Sequence, residues 1–272
     1  MENTDRAREP EVESDVTLLH PNYKRKGIAE RMWKMRKLRL TENYNYISRN
    51  ILLKVLYVFI DVFVMPFIYI FLRSTLRFRI KNRENLKAIR KRAAVTVSNH
   101  VHDLDALMIT QPFWPRTPYI VARAHNLEVV FVGAFNRIMR AVPLPSDMSN
   151  FSHFTEAMNK LLSATHHRLH IFPEGEIQPH GASLRRFGNG AFHFAVTNNV
   201  PIVPMVFVFP TKHTVKLIVG EVIELTDIPG FSELSRPRQV KALSSHTKNV
   251  MQKMLDDYYE GRPYDPRPQK AA

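Results

Sequence analysis

The sequence predicts an α/β fold in which a mixed central sheet is flanked by helices and preceded by a membrane-associated helical element. Two short apolar stretches, residues 93–97 and 168–172, have the composition of buried strands, and each runs into a polar turn. Segments with apolar residues at helical spacing lie between and after them, which indicates helices packed on the sheet. Residues 51–72 are strongly apolar and aromatic, and they indicate the membrane element.

The remaining elements follow from the same patterns. Further strands are predicted at residues 77–80, 118–122, 203–209 and 215–225. Helices are predicted at residues 151–164, 190–197 and 236–259, the last with Ser235 as its N-cap and Pro237 in its first turn. The predicted parts of the chain are a basic, partly disordered region at 1–50, the membrane element at 51–75, the α/β domain at 76–260 and a disordered tail at 261–272.

A histidine and a carboxylate stand five residues apart where the strand at 93–97 gives way to a helix. Within a regular helix five residues turn through about 500°, so His100 and Asp105 would point about 140° apart. The spacing therefore predicts His100 in the turn and Asp105 in the first helical turn, where the positive end of the helix favours an acidic side chain. Asp105 can then accept a hydrogen bond from one ring nitrogen and leave the other to take a proton from a hydroxyl.

A pair with this spacing is common, and a helix cap with a structural histidine is the simpler interpretation of it alone. The stretch 168–175 changes that interpretation. Its strand should end at Pro173, which cannot donate to a ladder, and Glu174 and Gly175 follow in the turn. Ligands of open α/β sheets bind outside the carboxyl ends of the strands, so the two polar turns predict one shared site.

These blocks resemble those of the glycerolipid acyltransferases, which include the 1-acylglycerol-3-phosphate acyltransferases, the tafazzins and a bacterial branch of lysophospholipid acyltransferases. Asn99 and His100 with Asp105 match the family's N-H-x4-D block, and residues 172–175 match its F-P-E-G block. Residues 200–204 match V-P-I-x-P, and residues 187–191 are similar to F-K-x-G-A. The resemblance covers roughly residues 76–225 and implies a glycerol-3-phosphate-acyltransferase-like fold.

The resemblance implies a mechanism in which His100 deprotonates the glycerol hydroxyl of a lysophospholipid, most of all 1-acylglycerol-3-phosphate. The hydroxyl then attacks the thioester of acyl-CoA or acyl carrier protein, which is a co-substrate, and no metal or other cofactor is implied. Asp105 orients His100, and main-chain amides at the helix start stabilise the oxyanion. The substrate-binding residues implied in this way are Asn99, Phe172, Pro173, Glu174, Gly175, Arg185, Arg186 and Pro204.

Two positions depart from the family pattern. Ile177 stands where F-P-E-G-T-R-S has an arginine, and Ser146 ends a second block, residues 141–146, that commonly ends in arginine. In the family these arginines hold the acceptor phosphate, a task suited to a planar bidentate guanidinium. Arg185 and Arg186 are the nearest substitutes, with a solvated basic loop as the alternative, and Arg137 and Arg140, which precede the second block, are also available. An acceptor with another head group, or an idle lipid-binding protein, remains open, but intact His100, Asp105 and Glu174 favour the enzyme.

The chain carries a formal net charge of +14 over 272 residues, which is typical of proteins that bind nucleic acid, anionic membranes or anionic substrates. Its cations cluster at residues 24–39 and 73–92, on both sides of the apolar segment, and no nucleic-acid recognition motif accompanies them. This distribution favours an anionic membrane surface over nucleic acid as the partner.

The apolar segment is long enough to span a bilayer, but Lys54, Asp61 and Pro66 are unfavourable at depth and both flanks are basic. These features favour a membrane-embedded bend or hairpin of a monotopic or peripheral enzyme on the cytoplasmic face of the cell membrane. A core helix and a transmembrane anchor are the alternatives.

Two further patterns exclude classes of site. The chain has no cysteine, which excludes disulfides and thiol chemistry. His166, His167 and His170 have a spacing found in metal sites, but a solvated turn between helix and strand is favoured because no other ligands lie near them in sequence.

Overall fold

The protein is described as a computed structural model, and the described residues are 38, 40–41, 44–47, 50–128, 130–147, 150–164, 166–179 and 183–266. Most of the predicted basic N-terminal region lies outside these residues, as does the predicted tail from residue 267 onward.

A mixed sheet forms the centre of the molecule. Its strands in chain order are β1 Arg79–Lys81, β2 Ala94–Ser98, β3 Tyr119–Arg123, β4 Ala141–Leu144, β5 Arg168–Ile171, β6 Ile202–Thr211 and β7 Thr214–Val219. They lie in the order β1-β7-β6-β2-β5-β3-β4. The strands from β4 to β6 run parallel, β7 is antiparallel to β6, and β1 is parallel to β7. The predicted mixed central sheet is confirmed.

Helices cover both faces of this sheet. In chain order they are α1 Ile51–Phe59, α2 Met65–Thr75, α3 Asp105–Thr110, α4 Val130–Ile138, α5 Phe151–Ser163, α6 Gly190–Asn198 and α7 Arg236–Tyr259. Every residue of the central strand β2 is buried, because successive side chains enter two different cores. Val95 and Val97 pack with α5, α6 and α7, whereas Ala94 packs with Met108 and Leu72 of α3 and α2.

The N-terminal element is one helix, not the predicted hairpin. α1 continues through a π-helical turn, Ile60–Val64, directly into α2. Pro66 follows that turn at the start of α2, where its missing N–H is tolerated. Residues Ile51–Thr75 are 25 residues long with a mean hydropathy of 2.4, enough by length and composition to cross a membrane.

Two strand boundaries differ from the sequence prediction for local reasons. Arg77 has φ 46°, so the predicted strand at 77–80 begins only at Arg79. The strand predicted to reach residue 225 ends at Val219, since the Gly220 N–H donates to the Pro204 carbonyl at 2.8 Å and a Cβ there would lie 3.0 Å from that oxygen. Helix 236–259 is confirmed, but Ser235 makes no side-chain cap hydrogen bond.

Candidate active site

The two polar turns meet at the carboxyl ends of β2 and β5, which are neighbours in the sheet. His100 lies in the loop between β2 and α3, and Phe172 follows β5 directly. Their rings stack with centroids 4.0 Å apart and planes 16° apart. The Gln178 N–H donates to the His100 carbonyl at 2.5 Å and ties the second loop to the first. The site therefore lies where the topology of parallel strands predicts it.

His100 and Asp105 form a hydrogen-bonded pair. Asp105 is the first residue of α3, and its Oδ2 accepts from His100 Nδ1 at 2.8 Å. The same oxygen accepts from the backbone N–H groups of Val101 at 2.5 Å and His102 at 2.9 Å. An ionised carboxylate only accepts, so the hydrogen of the neutral imidazole lies on Nδ1. Nε2 is then left as the proton acceptor, on a side chain that is 20% exposed.

Asp105 is completely buried, and burial raises the pKa of its carboxyl. The hydrogen bond and charge of His100, followed by the two backbone N–H groups, lower that pKa again. Oδ1 has no hydrogen-bond partner among the described residues. The Val101 and His102 amides already donate to Asp105. These two donors are therefore not available to the oxyanion, the role that the sequence resemblance implies for main-chain amides at the helix start.

Asn99 ties the loop after β2 to the neighbouring strand β6. It is 1% exposed, its Nδ2 donates to the Phe207 carbonyl at 3.1 Å, and its Oδ1 accepts from the Phe207 N–H at 2.7 Å. These two hydrogen bonds to β6 fix the position of Asn99, the residue next to His100. Pro204 is also buried within β6, opposite Val97 of β2. The structure thus gives neither of these predicted substrate-binding residues an exposed surface.

The F-P-E-G segment forms a tight turn after β5. Gly175 has φ +69°, in the left-handed region that favours glycine, and its N–H donates to the Phe172 carbonyl at 3.1 Å. The Pro173 carbonyl accepts from the Gly188 N–H at 2.8 Å, which brings residues 187–191 beside the turn. Pro173 itself is buried, so it supports the turn from the side of the protein interior.

Glu174 carries a buried carboxyl near the pair of His100 and Asp105. Burial raises the pKa of Glu174 to about 7, while the positive charges of Arg185 and Lys248 act in the opposite direction. The Arg185 backbone N–H also points toward the carboxyl and lowers its pKa. Neither carboxyl oxygen, however, has a hydrogen bond of ordinary geometry to a described residue. Glu174 is therefore a buried carboxyl that titrates near neutrality without a hydrogen-bond partner of ordinary geometry, which makes it a candidate site residue.

Cationic side chains gather at the same turn. Arg185 Nη1 lies 3.0 Å from Glu176 Oε2, and Arg123 Nη2 donates to the Gly175 carbonyl at 2.8 Å. The Arg185 and Arg123 side chains are 55% and 48% exposed. Arg186 is exposed as well. Arg123 was not among the predicted site residues, although its position just past the predicted strand at 118–122 was a signal for it.

The two positions that depart from the family pattern hold no cation. Ile177 is 38% exposed, and Ser146 is exposed after β4. Arg140, considered for the phosphate because it precedes β4, instead pairs with Asp61 of the N-terminal helix, with Nη2 to Oδ2 2.7 Å and Nη1 to Oδ1 3.0 Å.

The histidine cluster at 166–170 does not form the predicted solvated turn throughout. His170 lies in β5 and is fully buried, because its position in the strand faces the core beneath the site. Thr96 Oγ1 lies 2.9 Å from its Nδ1. Among the described residues, no group of three or more histidine, cysteine or acidic side chains could hold a metal ion.

The chain is similar to known proteins in both sequence and fold. The profile of the Acyltransferase family matches residues 77–208. A 1-acyl-sn-glycerol-3-phosphate acyltransferase of Haemophilus influenzae is 23% identical over 175 residues, which is 61% of this chain and 70% of that protein. The crystal structure of the 1-acyl-sn-glycerophosphate (LPA) acyltransferase PlsC from Thermotoga maritima has a similar fold, with a TM-score of 0.52 at 17% identity over 80% of this chain and 98% of the other.

The family profile begins just before β1 and ends in β6, so it includes both polar turns and every strand except β7. It therefore covers His100, Asp105 and Glu174 in the arrangement described above. Residues 77–208 form an acyltransferase domain, and this enzyme is an acyltransferase.

Proposed function

We propose that this enzyme transfers a fatty acyl group from acyl-CoA or acyl carrier protein to the free hydroxyl of a lysophospholipid, with 1-acylglycerol-3-phosphate as the foremost acceptor. The similarity to the Haemophilus influenzae enzyme supports this acceptor. The observation that carries the proposal is the hydrogen-bonded pair of His100 and Asp105 at the carboxyl ends of the parallel strands.

In the proposed reaction, His100 Nε2 takes the proton of the acceptor hydroxyl as the oxygen attacks the thioester carbonyl. The tetrahedral intermediate collapses, the C–S bond breaks, and the thiolate leaves with the proton returned by His100. Asp105 holds Nδ1–H and stabilises the transient imidazolium. General acid–base catalysis of this kind contributes about 10²–10⁴-fold.

Acceptor binding falls to the turn beside the base. Glu174, whose carboxyl oxygens are buried without a hydrogen-bond partner of ordinary geometry, shapes the acceptor pocket together with Gly175. Arg185 and Arg123 lie on the two sides of Glu176, and they are the cations from which an anionic head group can draw hydrogen bonds. Because Glu176 already engages both, a phosphate must compete with it for the guanidinium groups.

The N-terminal helix supports attachment along the membrane surface rather than a crossing. One face of the helix packs on the enzyme through Ile60, Asp61, Met65 and Leu72, all 8% exposed or less. A bilayer around this helix would have to engulf the domain packed near its middle. The opposite face is apolar and exposed, at Ile51, Leu52, Val55, Val58, Phe59, Val62, Phe63, Phe67, Ile70 and Phe71.

That exposed surface, which we call the apolar face, suits burial in the acyl region of one leaflet. The net charge of +14 suits the anionic cytoplasmic leaflet. We therefore assign the enzyme to the cytoplasmic side of the cell membrane as a monotopic protein.

The test offers the purified protein a panel of lysolipids with labelled acyl-CoA or acyl carrier protein, and identifies products by mass. We expect diacyl product with 1-acylglycerol-3-phosphate. His100→Ala and Asp105→Asn should reduce turnover by at least 10²-fold while the protein folds and binds vesicles. If product forms only with other lysolipids, one of those lysolipids is the acceptor instead of 1-acylglycerol-3-phosphate. Absence of product with every pair, or undiminished turnover in His100→Ala, would overturn the proposal.

A further inference from the structure

The candidate base His100 is the first of three aromatic rings that lie in contact. The Phe172 ring is stacked on His100, with centroids 4.0 Å apart, and the His170 ring meets Phe172 edge to face, with centroids 4.5 Å apart and planes 81° apart. We call these three residues the ring stack. Since β2 and β5 are adjacent, the stack connects the base to the centre of the sheet.

His170 is the fixed end of the ring stack. It is 0% exposed, its Nδ1 lies 2.9 Å from Thr96 Oγ1, and its Nε2 lies 3.4 Å from Ser98 Oγ. Burial, and to a lesser degree the nearby His100, lowers the pKa of His170 to about 3. The ring therefore stays neutral throughout the range in which enzymes of this kind work, and its hydrogen bonds hold it in one orientation.

Phe172 can act on His100 in two ways. Asp105 already fixes the Nδ1 edge of the imidazole. The Phe172 ring, which is stacked on the imidazole, restricts movement of the imidazole perpendicular to its plane. When His100 takes the proton of the acceptor it becomes a cation, and an aromatic face attracts a cation more than a neutral ring. The attraction of the aromatic face favours the protonated state that forms during the reaction, and the restricted movement keeps the base in one orientation. Both effects therefore act on turnover more than on substrate binding.

We propose that Phe172 and His170 are positioning residues for the base His100: Phe172 holds the imidazole and stabilises its protonated form, and His170 holds Phe172. The inference rests on the proposed role of His100. It gives Phe172 a function different from the substrate contact implied by the sequence resemblance. His170 acts through Phe172 and touches neither substrate nor the reacting atoms.

The first experiment replaces the aromatic face. Phe172→Leu keeps most of the volume, and we expect kcat to fall about tenfold while KM for both substrates stays within about twofold. The acid limb of the pH profile of kcat/KM should move to lower pH, because protonated His100 has lost a stabilising neighbour. Phe172→Tyr should restore both quantities. A raised acceptor KM with unchanged kcat would show that Phe172 contacts substrate and would overturn the inference.

The second experiment tests whether His170 acts through Phe172. His170→Gln should lower kcat in the wild-type background but cause no further loss in Phe172→Leu. If the double variant instead loses kcat by the product of the two single-variant factors, this part of the inference is overturned. His167→Gln is the matched control, since His167 immediately precedes β5 at the end away from Phe172, and it should leave kcat unchanged. If His170→Gln does not fold, His170→Phe keeps a ring edge against Phe172 and should retain kcat.

A readout without turnover separates this inference from the proposed function. In protein labelled at its histidines, the titration of the His100 ring can be followed by NMR in wild type and in Phe172→Leu. We expect the midpoint to fall in the variant even if no acceptor in the panel is turned over. If the wild type is active and Phe172→Leu changes neither the midpoint nor kcat, the inference is overturned while the proposed function stands.

Discussion

Glu174 shows how burial can adjust a single carboxyl to its surroundings. The motif identified the residue, but only its packing against the turn reveals that both carboxyl oxygens are buried without a partner of ordinary geometry. Burial raises the pKa of the group to about 7, so the proton is held more tightly in the folded than in the unfolded protein. This stabilises the fold below the unfolded pKa of about 4.5, and the stabilisation is lost as the pH rises through about 7.

Glu174→Gln should therefore stabilise the protein at alkaline pH. At pH 8 the wild type carries a buried charge that glutamine lacks, and the variant should gain up to roughly 3 kcal/mol. The gain should shrink below pH 7 and disappear near pH 4.5. Thermal unfolding in detergent across pH 4.5–8 measures it, with exposed Glu233→Gln as the control. A gain that does not change with pH would show that Glu174 does not titrate in this range.

The cations beside Glu174 lead to a prediction about acceptor binding. If Arg185 donates to an anionic head group, Arg185→Ala should raise the acceptor KM about ten- to a hundred-fold and leave the donor KM nearly unchanged. Glu176→Gln should lower the acceptor KM, because the phosphate no longer competes for the guanidinium. The control is Lys91→Ala, which precedes β2 at the opposite edge of the sheet. Steady-state kinetics with 1-acylglycerol-3-phosphate decide this, and equal KM values in Arg185→Ala and wild type would contradict it.

At this scale the sequence predicted residues within motifs and missed residues brought in by packing. His100, Asp105, Glu174 and Gly175 stand in local patterns, so they could be named. His170 could not be distinguished from its neighbours His166 and His167 without the strand that buries it. Asn99 shows the reverse, since its place in a motif does not reveal that its amide is committed to Phe207.

At the scale of elements, the N-terminal helix is fixed to the domain by one buried ion pair. Asp61 and Arg140 have side chains only 6% and 12% exposed, and they form two hydrogen bonds. Thr117 Oγ1 donates to the same carboxylate at 3.1 Å, and Trp114 Nε1 donates to the Asp61 carbonyl. The sequence presented Asp61 only as a cost in a membrane, because its partner lies 79 residues further along the chain.

Removing one partner of this pair should destabilise the protein strongly. Asp61→Leu or Arg140→Met leaves the other charge buried and unpaired, at a cost of about 3–5 kcal/mol. The double variant Asp61→Leu with Arg140→Met leaves no unpaired charge, so it should lose less than the sum of the single variants. Thermal unfolding of all three in detergent measures this. Additive losses would show that the two side chains contribute independently.

At the scale of the whole molecule, the parallel neighbours β2 and β5 bring the two polar turns together, while the net charge and the apolar face are the basis of the proposed membrane attachment. The sequence predicted the sheet because its strands and helices alternate, and it predicted the membrane element from composition. It did not predict that this element is a continuous helix. Lys54, Asp61 and Pro66 suggested a break, but the π-helical turn and the contact with Arg140 accommodate the last two without one.

Membrane attachment should combine an apolar contribution and an electrostatic one that salt can separate. Surface charges act over about 10 Å at 0.1 M salt but only about 3 Å at 1 M, whereas burial of apolar side chains persists at high salt. Wild-type protein should therefore still sediment with anionic vesicles at 1 M salt, and less of it should bind neutral vesicles at low salt.

The apolar contribution can be removed at two positions. Phe59 and Phe63 are 52% and 56% exposed, and their rings lie 5.0 Å apart on the apolar face. Burying each ring in lipid contributes about 1.5–3 kcal/mol, so Phe59→Asp with Phe63→Asp should release the protein at 1 M salt. The control Lys241→Asp changes the net charge by the same two units at an exposed position of α7 and should remain bound at 1 M salt. If the double variant still sediments there, the helix is not the anchor, and the membrane must contact another surface of the enzyme.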